Sequence, residues 1–392
     1  MTIALTLPSS NALTSEVKIS GFCHPSFQAV YDAFAANLAS GQELGASVCA
    51  VVAGQIVVDL WGGYQDSDRS QPWQEDTIVC MMSTGKGMGA LCVLLLVDRG
   101  LVELDEAIAT YWPEFAQGGK EAITVRQMLA HQASLPFLDG APTGSLFDTS
   151  GLYKAIEQQV PSWEPGQNPG YHTFTMGLLV GGLVTKVTGQ SIDSFWREEI
   201  ATKFDIDYRF ILSAEEQARC SDVYASDRQP FAQALRNTRT KIGRAWAPFP
   251  RADFGQIFNS RQFRTWGIPS IGHGNARALA RIYGGLANGG KIEGKELISK
   301  NLLEEAVKEH WHGVDAILNS PFRHGLGLVL SNPTYNLNGN PNCFGGPGAG
   351  GSIGLGDPDV KVGFGYAPNR MANAVDEGPC AKRLIEATFS CL

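Results

Sequence analysis

Residues 82–97 carry the sequence MSTGKGMGALCVLLLV, in which a serine is followed three positions later by a lysine and then by a long apolar run. The run predicts a helix that begins near Ser83 and ends near Asp98-Arg99-Gly100, because glycine is a natural helix stop. Residues i and i+3 share one helical face, so the Lys86 amine can return to the Ser83 hydroxyl. Serine needs such a base to act as a nucleophile, and the helix N-terminus favours a neutral amine. Alternatively, the serine is a simple N-cap and the lysine is solvated.

The composition is that of an ordinary globular protein, with 44% hydrophobic and 18% charged residues in a chain of 392. The net charge is −8 and there is no basic run, which argues against a nucleic-acid partner. No secretory pattern occurs near Met1, and the longest apolar run, 90–97, is too short to span a bilayer. We therefore expect a soluble cytoplasmic protein without a nucleic-acid or membrane partner. The oligomeric state is not indicated.

The eight cysteines form no C-x-x-C pair, and most of them lie inside apolar runs. Metal sites and disulfide frameworks depend on recognisable cysteine spacing. The pattern therefore predicts buried, reduced thiols, as in a cytoplasmic protein, and neither a metal nor a cofactor.

Strand-like segments occur at both ends of the chain, and helical segments lie between them. The predicted strands are 47–52, 55–61, 324–330, 351–355 and 360–366, and the clearest helices are 25–40, 83–98, 125–131, 176–187, 275–287 and 380–388. This order predicts an α+β fold in which one antiparallel sheet, built from both chain ends, is flanked by helices. Within a single domain, 1–392, we expect a sheet region (1–75 with 265–392) and a mostly helical region (76–264). A site is expected where the two regions meet.

A second cluster reads PGQNPGYHT at residues 165–173. Its tyrosine, Tyr171, follows a Pro/Gly turn and precedes a predicted helix, so its hydroxyl is held on a stiff element. We expect the Lys86 cation to lower the pKa of Tyr171, which lets the phenol relay a proton to a leaving group. The alternative is a tyrosine that only covers a helix end.

The third cluster reads FGGPGAGGSIG at residues 344–354. Glycines allow close backbone approach, and their N–H groups can point at a developing oxyanion. The segment also matches G-x-S-x-G around Ser352, the nucleophile elbow of α/β-hydrolases. That elbow requires a helix after the serine and a later histidine, whereas Leu355-Gly356-Asp357-Pro358 begins a helix poorly and the last histidine is His324. We therefore reject Ser352 as the nucleophile.

In this order, the three clusters resemble the serine β-lactamase and penicillin-binding-protein superfamily, especially its class C β-lactamase-like members and the family VIII carboxylesterases. The resemblance covers about residues 27–371 and is strengthened by the stretches 96–105, 123–132 and 274–283. It implies a β-lactamase/transpeptidase-like fold. It also implies that Ser83 is the acylated nucleophile, Lys86 its base and Tyr171 the proton relay. The N–H groups of Ser83 and Ala349 would form the oxyanion hole.

Two positions depart from the β-lactamase pattern. Thr173 stands where the Y-x-N element has asparagine. The K-T-G triplet falls on Gly346-Pro347-Gly348, so Gly346 stands in place of its lysine. In β-lactamases these groups help to bind the amide and the carboxylate of the substrate, which an ester does not require. The resemblance therefore implies a serine carboxylesterase that hydrolyses small esters through an acyl-enzyme. The implied substrate-binding residues are Gly346, Gly348, His172, Thr173 and Phe344.

Other functions stay open on the sequence. The same site can transfer the acyl group to an alcohol or hydrolyse an amide, and weak β-lactamase activity is compatible with it. A protein that keeps the fold and binds a ligand without turnover is a further alternative, which the intact Ser83, Lys86 and Tyr171 disfavour. The expected partner in each enzymatic case is a small molecule.

Overall fold

The computed structural model describes residues 17–224, 233, 235–372 and 377–392. Its strands are β1 (Ile19–Cys23), β2 (Gly45–Val52), β3 (Gln55–Gly63), β4 (Val79–Cys80), β5 (Tyr208–Arg209), β6 (His273–Gly274), β7 (Lys291–Ile292), β8 (Lys295–Glu296), β9 (Trp311–Val314), β10 (Pro321–His324), β11 (Val329–Leu330), β12 (Phe344–Pro347), β13 (Ile353–Asp357) and β14 (Val362–Pro368).

The helices are α1 (Gln28–Ala39), α2 (Gly85–Asp98), α3 (Ile108–Tyr111), α4 (Val125–Leu129), α5 (Thr149–Gln158), α6 (Thr175–Thr188), α7 (Ile192–Trp196), α8 (Thr202–Phe204), α9 (Ala214–Ala218), α10 (Lys241–Ala245), α11 (Phe254–Phe258), α12 (Arg261–Arg264), α13 (Ala276–Ala287), α14 (Lys300–Ala306) and α15 (Gly378–Phe389). Short 3₁₀ turns occur at Pro25–Phe27, Met82–Thr84, Pro113–Ala116 and Ser145–Phe147, and a π-helical turn at Arg197–Ala201.

The main sheet has nine strands in the order β1-β3-β2-β14-β13-β12-β11-β10-β9, and its neighbouring strands are antiparallel. The two ends of the chain meet in its middle, where β14 pairs with β2 and Gly365 lies opposite Cys49. The predicted hairpin is confirmed as β2 and β3, which are joined at Ala53-Gly54. The predicted fold class, an α+β protein with one antiparallel sheet made from both ends, is therefore confirmed.

Helix α2 is buried on nearly every side because its sequence is apolar all round. It packs against α6, α7 and strand β12. Its first turn therefore lies where the sheet meets the helices, which places Ser83 and Lys86 at that junction.

The segment 324–330, predicted as one strand, is two strands, and that prediction was wrong. Strand β10 ends at His324 and β11 begins at Val329, with Gly327 between them at a φ of 72°. The Gly325 N–H donates to the Leu328 carbonyl across this turn at 2.9 Å. Two glycines in five residues allow the chain to reverse direction between these two strands of the sheet.

The boundaries of the two regions stay a prediction. A small sheet, β4-β6-β5, pairs Cys80 and Arg209 with His273, so backbone hydrogen bonds cross the expected boundary. The eight cysteines are free, and six of them are buried. Among the residues that the structure describes, no helix has both the length and the apolar character needed to cross a bilayer.

Candidate active site

Ser83 lies in the 3₁₀ turn Met82–Thr84, which runs directly into α2. The residue before it, Met82, has a φ of 47°, a left-handed conformation that non-glycine residues rarely adopt. One turn further on, Lys86 Nζ lies 3.0 Å from Ser83 Oγ, and it also donates to the Ser270 carbonyl at 3.3 Å. The structure thus places the serine–lysine pair in hydrogen-bond contact.

The Lys86 amine is almost completely withdrawn from water, with 5% of the residue exposed. Burial lowers its pKa from the ordinary 10.5 to about 7, and burial is the only cause of the change. About half of the molecules therefore carry a neutral amine at neutral pH, able to accept a proton from Ser83.

Tyr171 lies in the loop before α6 and is mostly buried. Its backbone N–H donates to the Asp315 carboxylate at 3.2 Å, and the neighbouring Gly170 N–H donates to the His131 carbonyl at 3.1 Å. Its side chain hydrogen-bonds the Ser83 side chain, and Lys86 Nζ lies 4.9 Å from the centre of its ring. Side chains from two distant parts of the sequence, Ser83 with Lys86 and Tyr171, therefore share one site.

The expected effect of Lys86 on Tyr171 was wrong. Burial raises the pKa of Tyr171 above its ordinary value, and the hydrogen bond with Ser83 only partly opposes this. The free energy that a phenolate loses on leaving water is larger than the stabilisation that its surroundings provide. Lys86 is itself partly neutral, so it stabilises the phenolate little. Tyr171 is therefore a protonated phenol at neutral pH, and a proton donor.

The glycine-rich loop after β12 is hydrogen-bonded to the residue that precedes the 3₁₀ turn of Ser83. The Ser352 hydroxyl donates to the Met81 carbonyl at 2.8 Å, and the Gly348 N–H donates to the Ser352 carbonyl at 2.7 Å. A Cβ atom on Gly348 would lie 2.3 Å from the Met81 carbonyl oxygen, so only glycine permits this approach. Ala349 follows in the same loop, next to Ser83, and its N–H makes no hydrogen bond within the described residues.

Ser352 is not on an elbow. The residue is 4% exposed, and strand β13 rather than a helix follows it. The rejection of G-x-S-x-G is therefore confirmed, and Ser352 instead fastens the loop that carries Ala349.

Gly346 faces a buried tyrosine from α13. A Cβ atom on Gly346 would lie 2.5 Å from the Tyr283 hydroxyl oxygen, and one on Gly87 would lie 2.7 Å from the same oxygen. Tyr283 is fully buried, and no described residue pairs with its hydroxyl. The tyrosine thus fills the space in which a lysine of a K-T-G triplet would begin.

Two cavities of very different size adjoin Ser83 and Lys86. The larger, about 310 Å³, is lined by Tyr171 and Gly346, and its apolar wall is formed by Ile242, Ile317, Leu318, Phe322, Leu328 and Val329. The smaller, about 20 Å³, is lined by Thr173, Phe174, Trp246, Phe258, Ile271 and Met371. Ala349 borders both, and Tyr171 borders only the larger one.

The implied substrate-binding residues divide between these cavities and the protein interior. Gly346 lines the larger cavity, and Thr173 lines the smaller one with a buried Oγ1 that has no partner among the described residues. His172, Gly348 and Phe344 line neither cavity. His172 lies behind His131, and Phe344 packs beside Tyr283. The geometry gives these three no contact with a substrate.

Several site residues were missed by the sequence analysis. His131 and His324 line the larger cavity, Ser270 accepts from Lys86, and Asp315 holds the backbone of Tyr171. His131 belongs to a stretch that was noted only for its similarity. Asp315 has no motif around it, because its role depends on a contact with a residue 144 positions away.

The Beta-lactamase family model matches residues 30–389. The chain therefore belongs to the Beta-lactamase family.

Known proteins of this kind are similar to all or part of the chain. Esterase/beta-lactamase LipL of Mycobacterium tuberculosis is 32% identical over 365 residues, which are 90% of this chain and 83% of that protein. Esterase EstB of Burkholderia gladioli is 32% identical over 165 residues, 36% of this chain and 41% of EstB. A solved family VIII carboxylesterase superposes with a TM-score of 0.87 at 37% identity, covering 96% of this chain and 100% of that one. The predicted family resemblance and β-lactamase-like fold are confirmed.

Proposed function

We propose that this chain is a serine carboxylesterase that hydrolyses small esters through an acyl-enzyme. The observation that carries the proposal is the 3.0 Å contact between Lys86 Nζ and Ser83 Oγ, in surroundings that lower the pKa of the amine to about 7. A neutral amine accepts a proton where an ammonium cannot, so the pair can act near neutral pH. Membership of the Beta-lactamase family and the relatives named esterases support the same function.

In the acylation step, Lys86 takes the Ser83 proton while Oγ attacks the ester carbonyl carbon. The carbonyl oxygen becomes negative and accepts hydrogen bonds from the N–H groups of Ser83 and Ala349. Fixed donors of this kind typically contribute on the order of a hundredfold to a thousandfold each.

Tyr171 then completes the step. Its protonated phenol gives a proton to the departing alcohol oxygen, and the Lys86 ammonium returns a proton to the phenol. Water attacks the acyl-enzyme by the same route, with Lys86 again as the base, and releases the acid and free Ser83.

The surroundings of Ser83 favour an ester over a β-lactam. A β-lactam antibiotic carries a carboxylate, which is best bound by a cation. Tyr283 occupies the space beside Gly346, and the wall of the larger cavity is mostly apolar. A neutral ester has no carboxylate that needs a cation, so this arrangement does not weaken its binding. The eight free cysteines support a reducing compartment, so we place the protein in the cytoplasm.

The test is a substrate panel on the purified protein and its Ser83→Ala variant. Short-chain esters, nitrocefin and an amide are assayed together, and an activated phosphonate followed by peptide mapping locates the nucleophile. We expect the wild type to prefer esters, the label to lie on Ser83 and the variant to lose both turnover and label. Full ester turnover by Ser83→Ala, or a label on Ser352, would refute the proposal.

A further inference from the structure

The lining of the larger cavity includes polar groups beside its apolar wall. Two buried histidines from different parts of the chain, His131 and His324, are among them, with ring centres 5.1 Å apart. The His131 ring also lies 5.1 Å from the Tyr171 ring. The His131 imidazole thus lies beside the tyrosine that donates the proton in the proposed function, and the His324 imidazole lies beside His131.

Hydrogen bonds from the backbone fix the position of the proton on His172, the histidine behind His131. The Leu135 N–H donates to His172 Nε2 at 3.0 Å, so Nε2 is an acceptor. The neutral ring must then carry its proton on Nδ1, which lies 3.4 Å from His131 Nδ1.

The same reasoning gives the position of the ring proton on His131. Its Nδ1 accepts the His172 backbone N–H at 3.1 Å and faces the proton on His172 Nδ1. Burial and the neighbouring basic groups lower the pKa of His131 well below its ordinary value, so the ring is neutral and has one proton. That proton is therefore on Nε2. Nε2 makes no hydrogen bond with any residue in the described part of the chain, and His131, 5% exposed, is one of the residues that line the cavity.

The two cavities can be assigned to the two halves of an ester if Tyr171 protonates the leaving alcohol. The alcohol oxygen must then lie at Tyr171, which borders only the larger cavity. The acyl group is left with the cavity of about 20 Å³, which has room for roughly a methyl group. The alcohol therefore extends past Tyr171 toward His131.

We propose that the larger cavity binds an apolar alcohol carrying one hydrogen-bond acceptor, and that His131 Nε2–H, by donating to this acceptor, determines specificity for the leaving group. This assignment rests on the proposed esterase function. It concerns substrate selection, and the chemistry at Ser83 proceeds without it.

The substrate series separates recognition from turnover. Cyclohexylmethyl acetate is compared with the three oxanylmethyl acetates, which carry one ring oxygen at successive positions and have nearly the same shape. The acyl group is constant, and only the acceptor changes. For each enzyme, the measured quantity is kcat/KM of the ether ester divided by kcat/KM of the cyclohexyl ester.

Two variants of His131 test the donor. His131→Asn suits the left-handed backbone at this position, where φ is 59°, and its oxygen can replace Nδ1 as the acceptor for His172. It lacks a donor at the Nε2 position. His131→Gln restores an N–H near that position. His273→Asn is the matched control, because His273 is equally buried at 2% exposure and lines neither cavity.

For at least one ether ester, we expect the ratio to fall about fivefold in His131→Asn, the effect of losing one neutral hydrogen bond. It should recover at least partly in His131→Gln and stay unchanged in His273→Asn. If His131→Asn lowers kcat/KM of all four esters by the same factor, the residue is only structural and the proposal is wrong.

A binding measurement keeps this test independent of the esterase proposal. Calorimetry on the Ser83→Ala protein compares oxanylmethanols with cyclohexylmethanol and needs no turnover. Loss of the ether preference in the Ser83→Ala/His131→Asn protein supports the assignment, and equal preference in both proteins refutes it. Ester hydrolysis by Ser83→Ala would refute only the proposed function.

Discussion

Replacing Lys86, the proposed base, by methionine should abolish ester hydrolysis and, at neutral pH, increase the stability of the folded protein. On burial Lys86 loses about half of its charge at pH 7, since its pKa is about 7 in the folded protein against 10.5 in water. That difference of about 3.5 pH units corresponds to roughly 4–5 kcal/mol of folding free energy at pH 7. Methionine avoids this cost and fills a similar volume.

The gain is reduced by the hydrogen bonds that the variant loses. Lys86 donates to Ser83 Oγ and to the Ser270 carbonyl, and each bond contributes about 1 kcal/mol. We therefore expect Lys86→Met to raise the free energy of unfolding by roughly 2 kcal/mol at pH 7.

The sign of the pH dependence follows from proton counting. Between pH 7 and 10.5 the unfolded chain holds a proton on Lys86 that the folded chain lacks, so wild-type stability gains about 1.4 kcal/mol per pH unit from this group. The variant has no such gain. Its advantage should shrink as the pH rises and vanish at roughly pH 8.5.

The assay is equilibrium urea unfolding of both proteins between pH 7 and 9, followed by tryptophan fluorescence. Lys120→Met is the matched control, because Lys120 is equally buried but donates to the carbonyls of Gln117, Glu157 and Gln159. Burial lowers the pKa of Lys120 less, to about 8, so removing its charge gains less, and the three carbonyls left without this donor should outweigh that gain and make the variant no more stable than wild type. A difference in unfolding free energy between Lys86→Met and wild type that stays constant over this pH range would show that Lys86 keeps its charge. That result would contradict the proposal that Lys86 is the base.

Further outcomes follow from the same geometry. Ester kcat/KM should rise about tenfold per pH unit below the Lys86 pKa of about 7 and level off above it, because only the neutral amine accepts the serine proton; a profile that is flat from pH 5 to 8 would contradict this. Tyr171→Phe should lower kcat by about 10²–10⁴-fold for alkyl esters and less for aryl esters, whose leaving groups need no proton, so equal losses for both classes would remove Tyr171 from that role. Gly346→Ala should lower stability by about 1–3 kcal/mol through collision with the Tyr283 hydroxyl, and Tyr283→Phe should relieve the loss in the double variant; thermal unfolding of the four proteins measures this coupling.

Much of the site was predictable because its chemistry is concentrated in short stretches. Ser83 and Lys86 lie three residues apart at a helix start, and helical geometry alone brings their side chains together. The hairpin β2–β3 and helices α2, α6 and α13 were equally readable from local pattern. The division of 324–330 into two strands was not, because the sheet and not the local pattern places that reversal.

The electrostatics and the recognition surface could not be predicted. The Lys86 cation was expected to lower the pKa of Tyr171, yet burial of the phenol has the opposite and larger effect. Tyr283, His131 and Asp315 reach the site from separate elements, and no spacing between them marks their roles. The loss of the K-T-G lysine was visible in the sequence, whereas its replacement by the bulk of Tyr283 was visible only in three dimensions.

The sequence by itself predicted Ser83 and Lys86 as nucleophile and base and also predicted the family, which is confirmed, because a helical turn and three local motifs carry that information. The tertiary structure alone decided how far the pKa of the Lys86 amine falls, that the Tyr171 phenol keeps its proton, and that the two cavities beside Ser83 differ so much in size. The physical reason is that desolvation and cavity shape depend on which distant segments pack around a group.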